Sequence, residues 1–414
     1  MKIQLSDHFT YQRLLHFCLP SIVMMIFTSI YGVVDGLFVS NFVGKIPFAA
    51  INLVMPFIMI LGGFGFMIGT GGSALIAKTL GEGNHKLANR YFSMLIIMTV
   101  ILGLILTTIG IVFARRVSIL LGATDVMLDD CVIYLRTVLL FISPFMLQNV
   151  FQSFLVTAQK PHAGLIVTII AGLTNMSLDA LFIVVFRWGV AGAALATGIS
   201  QCIGGLLPLI LFLGKNDSLL HLVPTRLEWR PFFLSCTNGM SELMGNISSS
   251  IVSMLYNFQL LNYAGENGIA AYGVLMYVQF IFIAVFFGYT IGVGPVIGYH
   301  YGAGNHAELK NLLRKSLKLN IITGISMTIL ANLFAGALSR IFVGYDPELY
   351  AMTKSAFHIF ALSFLVCGIN IFASAFFTAL NNGLVSAVIS FLRTLVFQVG
   401  SVLILPVFLG LTGI

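Results

Sequence analysis

The 414-residue chain is 58% hydrophobic and only 8% charged, with a formal net charge of +7. That composition lies far outside the range of soluble globular domains. Apolar runs of roughly 20 or more residues recur from end to end, and each is long enough to cross a bilayer as a helix. The sequence therefore predicts an all-α polytopic membrane protein.

The apolar runs follow one another with short polar breaks. Eleven are predicted, at approximately residues 14–40, 47–77, 91–114, 131–157, 163–186, 189–213, 231–260, 267–299, 312–338, 352–378 and 384–406. The first run is too long for a cleaved signal peptide and has no small-residue cleavage site.

The basic residues are concentrated in the breaks on one side of the predicted membrane. Lys86, Arg90, Lys310 and Arg314 are examples, and they lie on the same side as the N-terminus. An excess of Lys and Arg marks cytoplasmic loops, so we expect a cytoplasmic N-terminus in the plasma (inner) membrane. The positive charge is thus a topology signal, and we expect no nucleic-acid partner. The five cysteines show no metal-binding or redox spacing.

A tandem repeat divides the chain into two halves. GEGNHKLANR at 81–90 returns as GAGNHAELKN at 302–311, and the same shift pairs Asn41 with Asn262 and Gly44 with Gly265. A unit of six helices places both copies in the same orientation, as in transporters built from parallel repeats. We predict two six-helix bundles: an N-terminal lobe at 1–213 and a C-terminal lobe at 231–414. The polar, basic segment 214–230 is predicted to be a cytoplasmic linker between them.

The second unit has one predicted helix fewer than the first. Only the beginning of the run at 189–213 has a repeat partner in the sequence: Gly189 and Gly192 correspond to Gly410 and Gly413. The repeat therefore predicts a twelfth helix beyond Ile414. We interpret the sequence as lacking that helix, the alternative being a protein of eleven helices.

Two of the three carboxylates within apolar runs lie in the N-terminal half. They are Asp35 and Asp179. An acid in hydrocarbon costs at least ~2.5–3.5 kcal/mol, so such residues are functional candidates. Tyr31 shares a helical face with Asp35, and Asn175 shares one with Asp179. Thr197 lies about as deep in the next run as Asp179 lies in its own. We predict a shared cation or proton site from these five residues, whereas a structural alternative is that the acids reach interfacial water or pair with Arg187.

The third acid, Glu242, lies roughly twelve residues into its run, near mid-membrane at ~1.5 Å per residue. We predict that it binds cationic substrate or a second proton, with Tyr256, Met254 and Tyr277 lining the same cleft. The alternative is a glutamate hydrogen-bonded to a neighbouring helix. Arg393 could offset one of the acids or extend to an interface.

The chain resembles the multidrug and toxic-compound extrusion (MATE) family, prokaryotic type. The resemblance rests on the duplicated layout, on VVDGLFVSNFVGKIPFAAINLVMPF at 33–57, on the GEGN-type loop, and on NMSLDALF at 175–182. It implies an ion or proton site in the N-terminal lobe at Tyr31, Asp35, Asn175, Asp179 and Thr197. It also implies that Pro20 is a hinge of the first helix. The run at 352–378 departs from another branch of the family, because Asn370 is its nearest polar residue where that branch has an acid.

These observations favour a cation-coupled (H⁺ or Na⁺) multidrug efflux antiporter that exports amphipathic, often cationic, organic compounds. We expect a monomer whose partners are small organic cations or drugs and membrane lipids, with no cofactor apart from the coupling ion. The sequence contains neither a Walker motif, which would indicate an ATPase, nor a nucleophile–base pair, which would indicate another enzyme. The alternatives are a flippase for a lipid-linked sugar or amphipathic lipid on a related fold, which would need several cationic side chains, and a channel, which would need a ring of charges.

Overall fold

The computed structural model describes residues 3–214, 217–344 and 346–414, and these contain helices and no β-strand. The helices are α1 Tyr11–Phe42, α2 Lys45–Gly81, α3 His85–Leu120, α4 Asp125–Leu140, α5 Ile142–Thr157, α6 Pro161–Asp179, α7 Gly189–Leu213, α8 Trp229–Asn238, α9 Met240–Gly302, α10 His306–Val343, α11 Pro347–Phe360, α12 Phe364–Ala379, α13 Gly383–Phe391 and α14 Gln398–Leu409. π-Helical turns follow α6 (Ala180–Val185) and α13 (Leu392–Phe397), and short 3₁₀ turns follow α11 (Ala361–Ser363) and α14 (Gly410–Gly413).

Every predicted apolar run is helical, which confirms the predicted fold class. Within the described ranges, nine helical segments are long and apolar enough to cross a membrane, and a tenth span results if α4 and α5 count as one. Those two helices meet at an angle of 56°. Pro144 lies in the first turn of α5, where its missing N–H leaves no helical hydrogen bond unmade. The continuous stretch α9 contains two predicted runs, which separate at Gly265 (φ 62°).

The repeat is visible in the backbone as well as in the letters. Three pairs of glycines related by the repeat share a positive φ: Gly44 and Gly265, Gly83 and Gly304, and Gly189 and Gly410. Only glycine adopts such angles without strain, so the corners of the two halves need the same residue. The two copied loops also begin their helices alike. Asn84 and Asn305 each accept a hydrogen bond from the backbone N–H three residues later, at 3.1 Å.

The two halves are in close contact at the end of the bundle that carries these copied loops, which we call the loop end. There α2 and α9 cross at Gly81 and Gly302, which the repeat also relates. A Cβ atom on Gly302 would overlap the carbonyl oxygen of Lys78, and one on Gly81 would overlap that of Tyr299. The absence of both side chains lets the two backbones touch.

The N-terminal segment fastens the first half to the second at the same end. His8 Nδ1 lies 2.6 Å from Glu308 Oε2, and the backbone N–H of Phe9 donates to Glu308 Oε1 at 3.0 Å. Lys315 Nζ donates to the carbonyl of Phe9 at 2.6 Å. These contacts join residues about 300 positions apart.

The predicted linker packs along α3. The N–H of His221 donates to Asn89 Oδ1 at 3.0 Å, and that of Val223 donates to Ser93 Oγ at 2.9 Å. Residues 215 and 216 of this segment lie outside the described ranges. The described part of the linker is therefore bound to the first half.

We predict that Gly302→Ala destabilises the contact between α2 and α9. Because the new methyl group meets backbone rather than a movable side chain, the cost is ~1–3 kcal/mol. The melting temperature of the purified protein should fall by several degrees. Gly294→Ala on the same helix is the matched control, since no atom lies within 4 Å of its Cβ position. Equal melting temperatures for the two variants would contradict the argument.

Candidate cation site and central cavity

Three helices of the first half bring the predicted polar residues together. α1 contributes Tyr31 and Asp35, α6 contributes Asn175 and Asp179, and α7 contributes Thr197. We call this set, together with Tyr134 of α4, the acidic pocket. Asp179 is 0% exposed and Asn175 is 2% exposed, whereas Tyr31, Asp35 and Thr197 are partly buried. α1 packs against α6, which places the two acids at one interface.

Asp35 and Asp179 face each other across that interface. Their carboxyl groups are close enough to share a hydrogen bond when one of them carries a proton. When both are ionised they only accept hydrogen bonds, and they repel each other. The pair therefore places two acidic groups together at a helix interface of the first half.

The oxygen atoms of the acidic pocket lack donors. Oδ1 of Asp35, Oδ1 of Asn175 and both carboxylate oxygens of Asp179 are buried without a hydrogen-bond partner. Each such group costs ~1–3 kcal/mol, and charged ones cost more. A proton or a cation would satisfy several of them at once. Hard oxygen ligands suit a small cation such as Na⁺, so these residues fit either a proton or Na⁺.

The shape of α6 makes room for this arrangement. Gly172 has no side chain, and a Cβ there would lie 2.5 Å from Phe27 Cε1 and 2.9 Å from Tyr31 Cδ1. The missing side chain lets α1 approach closely with its aromatic rings against α6. Immediately after Asp179 the helix widens into a π turn, a feature frequent at functional sites.

Tyr134 belongs to this pocket although the sequence did not single it out. Its ring is 1% exposed, its hydroxyl is directed at Thr197, and it interacts electrostatically with Asp35 and Asp179. Thr197 Oγ1 is buried beside it without a well-formed hydrogen bond. A hydroxyl-bearing ring near the start of an apolar run is the sequence signal that could have identified it.

Neither structural alternative describes the position of Asp179, and the Arg187 alternative does not describe that of Asp35. Arg187 is exposed at a turn with φ 56°, and it forms no ion pair with Asp35 or Asp179. Among the described residues the ion pairs are His8–Glu308 and Lys78–Glu82. Asp179, with no exposed surface, does not reach interfacial water.

A second polar region, the central cavity, lies between the two halves. Two adjoining chambers of about 210 and 390 Å³ share Glu242 and Asn246 in their walls. The smaller is also lined by Phe66 and Thr70 of α2, and the larger by Met25 of α1. Glu242 thus lies where the chambers meet, and its carboxylate forms no ion pair.

The predicted aromatic wall is placed only in part. Tyr256 lines the larger chamber and stacks on Tyr272, with ring centroids 5.0 Å apart. Met254 and Tyr277 lie elsewhere. Met254 is 70% exposed, because two residues along a helix turn the side chain to the opposite face. Tyr277 stacks on Phe342 outside the cavity.

Arg393 lies in the π turn after α13 and lines the larger chamber with Glu242. Of the side chains that line either chamber, Arg393 is the one basic residue. Pro20 lies inside the uninterrupted helix α1, where it removes one helical hydrogen bond.

The matches to known proteins decide the family. The family model MatE matches residues 20–181 and 243–403, one segment in each half. The chain belongs to the MatE family. This MATE transporter is 26% identical over 411 residues to multidrug export protein MepA of Staphylococcus haemolyticus, covering 98% of this chain and 89% of MepA. It is 26% identical to the MepA of Staphylococcus saprophyticus over 415 residues, with the same coverage.

Solved structures share the fold of this MATE transporter. An outward-facing multidrug resistance transporter of the MATE family matches with a TM-score of 0.92 at 22% identity, over 98% of this chain and 91% of that one. A MATE structure in complex with MaL6 gives a TM-score of 0.92, over 98% and 92% of the two chains. The two-lobe helical architecture is therefore that of the family.

We predict that Asp179→Asn stabilises the fold. The substitution removes the charge of a fully buried carboxylate and adds donors where the pocket lacks them. An uncompensated buried polar group costs ~1–3 kcal/mol, so the melting temperature should rise by several degrees. Asp129→Asn on the exposed side of α4 is the control and should leave the melting temperature within about a degree. A lower melting temperature for Asp179→Asn would mean that the carboxylate is already satisfied.

Proposed function

We propose that this chain is a cation-coupled multidrug efflux antiporter, driven by H⁺ or Na⁺. It exports amphipathic, often cationic, organic compounds by alternating access between its two halves. The observation that carries the proposal is the pair Asp35–Asp179, two facing carboxyl groups with unsatisfied oxygens at a helix interface. Membership of the MatE family and likeness to multidrug export proteins support the transport of drugs.

The coupling step follows from the electrostatics of the acidic pocket. Two carboxylates in a poorly solvated site cannot both stay charged at low cost, so they take up a proton or share a cation. Occupancy changes the net charge beside α1, which also packs against α9 of the second half. α1 contains Pro20, where a missing hydrogen bond lowers the cost of bending. The ion therefore has a mechanical element to act upon, as a two-state transporter requires.

The substrate would occupy the central cavity. Its stacked pair Tyr256–Tyr272 offers a flat aromatic surface, and Glu242 offers a negative charge without a bound partner. Aromatic faces and an unpaired acid suit flat organic cations. We propose that the protein lies in the inner membrane with the loop end on the cytoplasmic side, because Lys and Arg are concentrated there. The close contact of α2 and α9 at Gly81 and Gly302 would then close the cavity on the cytoplasmic side, so that substrate is released on the opposite side.

The competing functions have less support. A flippase for a lipid-linked sugar or amphipathic lipid needs several cationic side chains to bind phosphate groups. Arg393 is the one basic side chain among the residues that line the two chambers. A channel needs acids arranged around a pore, whereas Asp35 and Asp179 lie within one half.

We predict that the double variant Asp35→Asn, Asp179→Asn loses gradient-driven export while remaining folded and inserted. Amides neither take up a proton nor attract a cation as carboxylates do, so occupancy no longer changes the charge beside α1. The measurement is export of a fluorescent organic cation from proteoliposomes under separately imposed pH and Na⁺ gradients. Asp129→Asn is the control and should behave as wild type.

The same assay distinguishes the two ions. Asn175→Ala and Thr197→Ala remove neutral oxygens, which matter more for Na⁺ than for H⁺. If Na⁺ drives export, both variants should weaken it; if H⁺ does, their effect should be small. Wild-type export by the double aspartate variant under both gradients would overturn the proposed coupling site.

We predict that Glu242→Gln weakens transport of cationic substrates more than that of neutral ones. A positive ligand gains most from an unscreened carboxylate in a cavity of low polarity, so the apparent affinity should fall about tenfold for a cation and less than about twofold for a neutral probe. Dose dependence of export for two probes with the same aromatic core provides the comparison. Equal losses would indicate that Glu242 has a structural or coupling role.

A further inference from the structure

The larger chamber of the central cavity contains two opposite charges. Glu242 lies on α9, and Arg393 lies in the π turn that interrupts the final apolar run. The two interact electrostatically but form no ion pair within 4.0 Å. Because neither neutralises the other by direct contact, both remain available to a ligand.

The guanidinium of Arg393 has unused donors. Its Nη1 is buried without a hydrogen-bond partner, and its Nε makes one long hydrogen bond of 3.4 Å to Thr394 Oγ1. An arginine offers five N–H donors in a planar fork. An unsatisfied cation at membrane depth is costly, which makes a functional role the default interpretation.

The surroundings of Arg393 within the chamber are polar but supply no anion at bonding distance. Ser390 uses its hydroxyl to donate to the carbonyl of Ser241, at 3.0 Å. Gln279 also lines the chamber, and its Oε1 is buried without a partner. Glu242 is the one acidic side chain in that wall. The fork of Arg393 therefore has no acidic partner at bonding distance.

We infer that Arg393 is a carboxylate-binding subsite, and that the central cavity prefers substrates carrying a carboxylate as well as a positive group. This inference rests on the proposed function, because it names the class of compound that the efflux cavity accepts. The carboxylate accepts two parallel hydrogen bonds from the guanidinium, and the positive group lies near Glu242. The aromatic core of the substrate packs on Tyr256 and Tyr272.

The charge balance of the chamber explains the preference. A zwitterion gives each of the two side chains an opposite partner. A simple cation satisfies Glu242 but adds a positive charge near an unpaired guanidinium, and in a cavity of low polarity that repulsion is weakly screened. The sequence alone favoured cations, because it located Glu242 at mid-membrane but did not place Arg393 in the same chamber.

The test uses a matched pair of rhodamine dyes, one with a free carboxylate and the other its methyl ester. Dissociation constants are measured by fluorescence anisotropy on the purified protein, without any ion gradient. For the wild type we expect the zwitterion to bind about tenfold more tightly than the ester, as one charge-assisted bidentate contact provides. Arg393→Met should abolish this ratio, mainly by weakening the zwitterion and to a lesser extent by relieving the repulsion of the ester, and Arg393→Lys should restore part of it.

Arg340→Met is the matched control, since Arg340 is exposed near the end of α10, and it should keep the wild-type ratio. An unchanged ratio in Arg393→Met would overturn the inference, and so would an equal loss for both dyes. Tighter binding of the ester with unchanged zwitterion affinity would also overturn it, because Arg393 would then be a counter-ion of Glu242. Failure of ion coupling would appear only in the vesicle assay, so the two proposals fail separately.

Discussion

The facing carboxyl groups of Asp35 and Asp179 are the interaction on which the first half depends. Burial makes the doubly ionised state expensive, and three of the four carboxylate oxygens have no hydrogen-bond partner to relieve it. Gly172 admits the aromatic face of α1 against α6, and a π turn begins directly after Asp179. The local backbone thus holds two like charges together at a cost in stability, which is the arrangement expected of a site that must respond to an ion.

Helix α1 connects this pocket to the rest of the molecule. Near Pro20 it packs closely against two glycines of α9. A Cβ on Gly292 would lie 2.9 Å from Cys18, and one on Gly288 would lie 2.7 Å from the Ser21 carbonyl oxygen. Further along, Ser29 Oγ donates to the Phe280 carbonyl at 3.3 Å. The same helix therefore contributes Asp35 to the acidic pocket and Met25 to the central cavity. A change of charge at one end acts on a helix that already touches both halves.

The two halves share a backbone but divide the chemistry. The repeat relates Asp35 to Tyr256, Glu242 to Ser21, and Arg393 to Gly172. In each pair a charged residue in one half corresponds to a neutral one in the other. The common backbone serves closure, since the glycines of the loop end occur in both copies. In the function that we propose, the unmatched side chains bind different ligands, with the ion in the first half and the organic compound between the halves.

Much of this protein was determined by the sequence alone. Apolar runs long enough to span a bilayer must be helices, because no other local structure satisfies the hydrogen bonds of their backbone there. The copied loop showed that the chain consists of two related halves. The i,i+4 spacing put Asn175 beside Asp179. Only the tertiary structure decided which helices meet. It brought Tyr134 to the acids, turned Met254 and Tyr277 away from the cavity, and set Arg393 opposite Glu242. Such contacts join residues far apart in the chain, and helical periodicity indicates which residues share a face but not what that face touches.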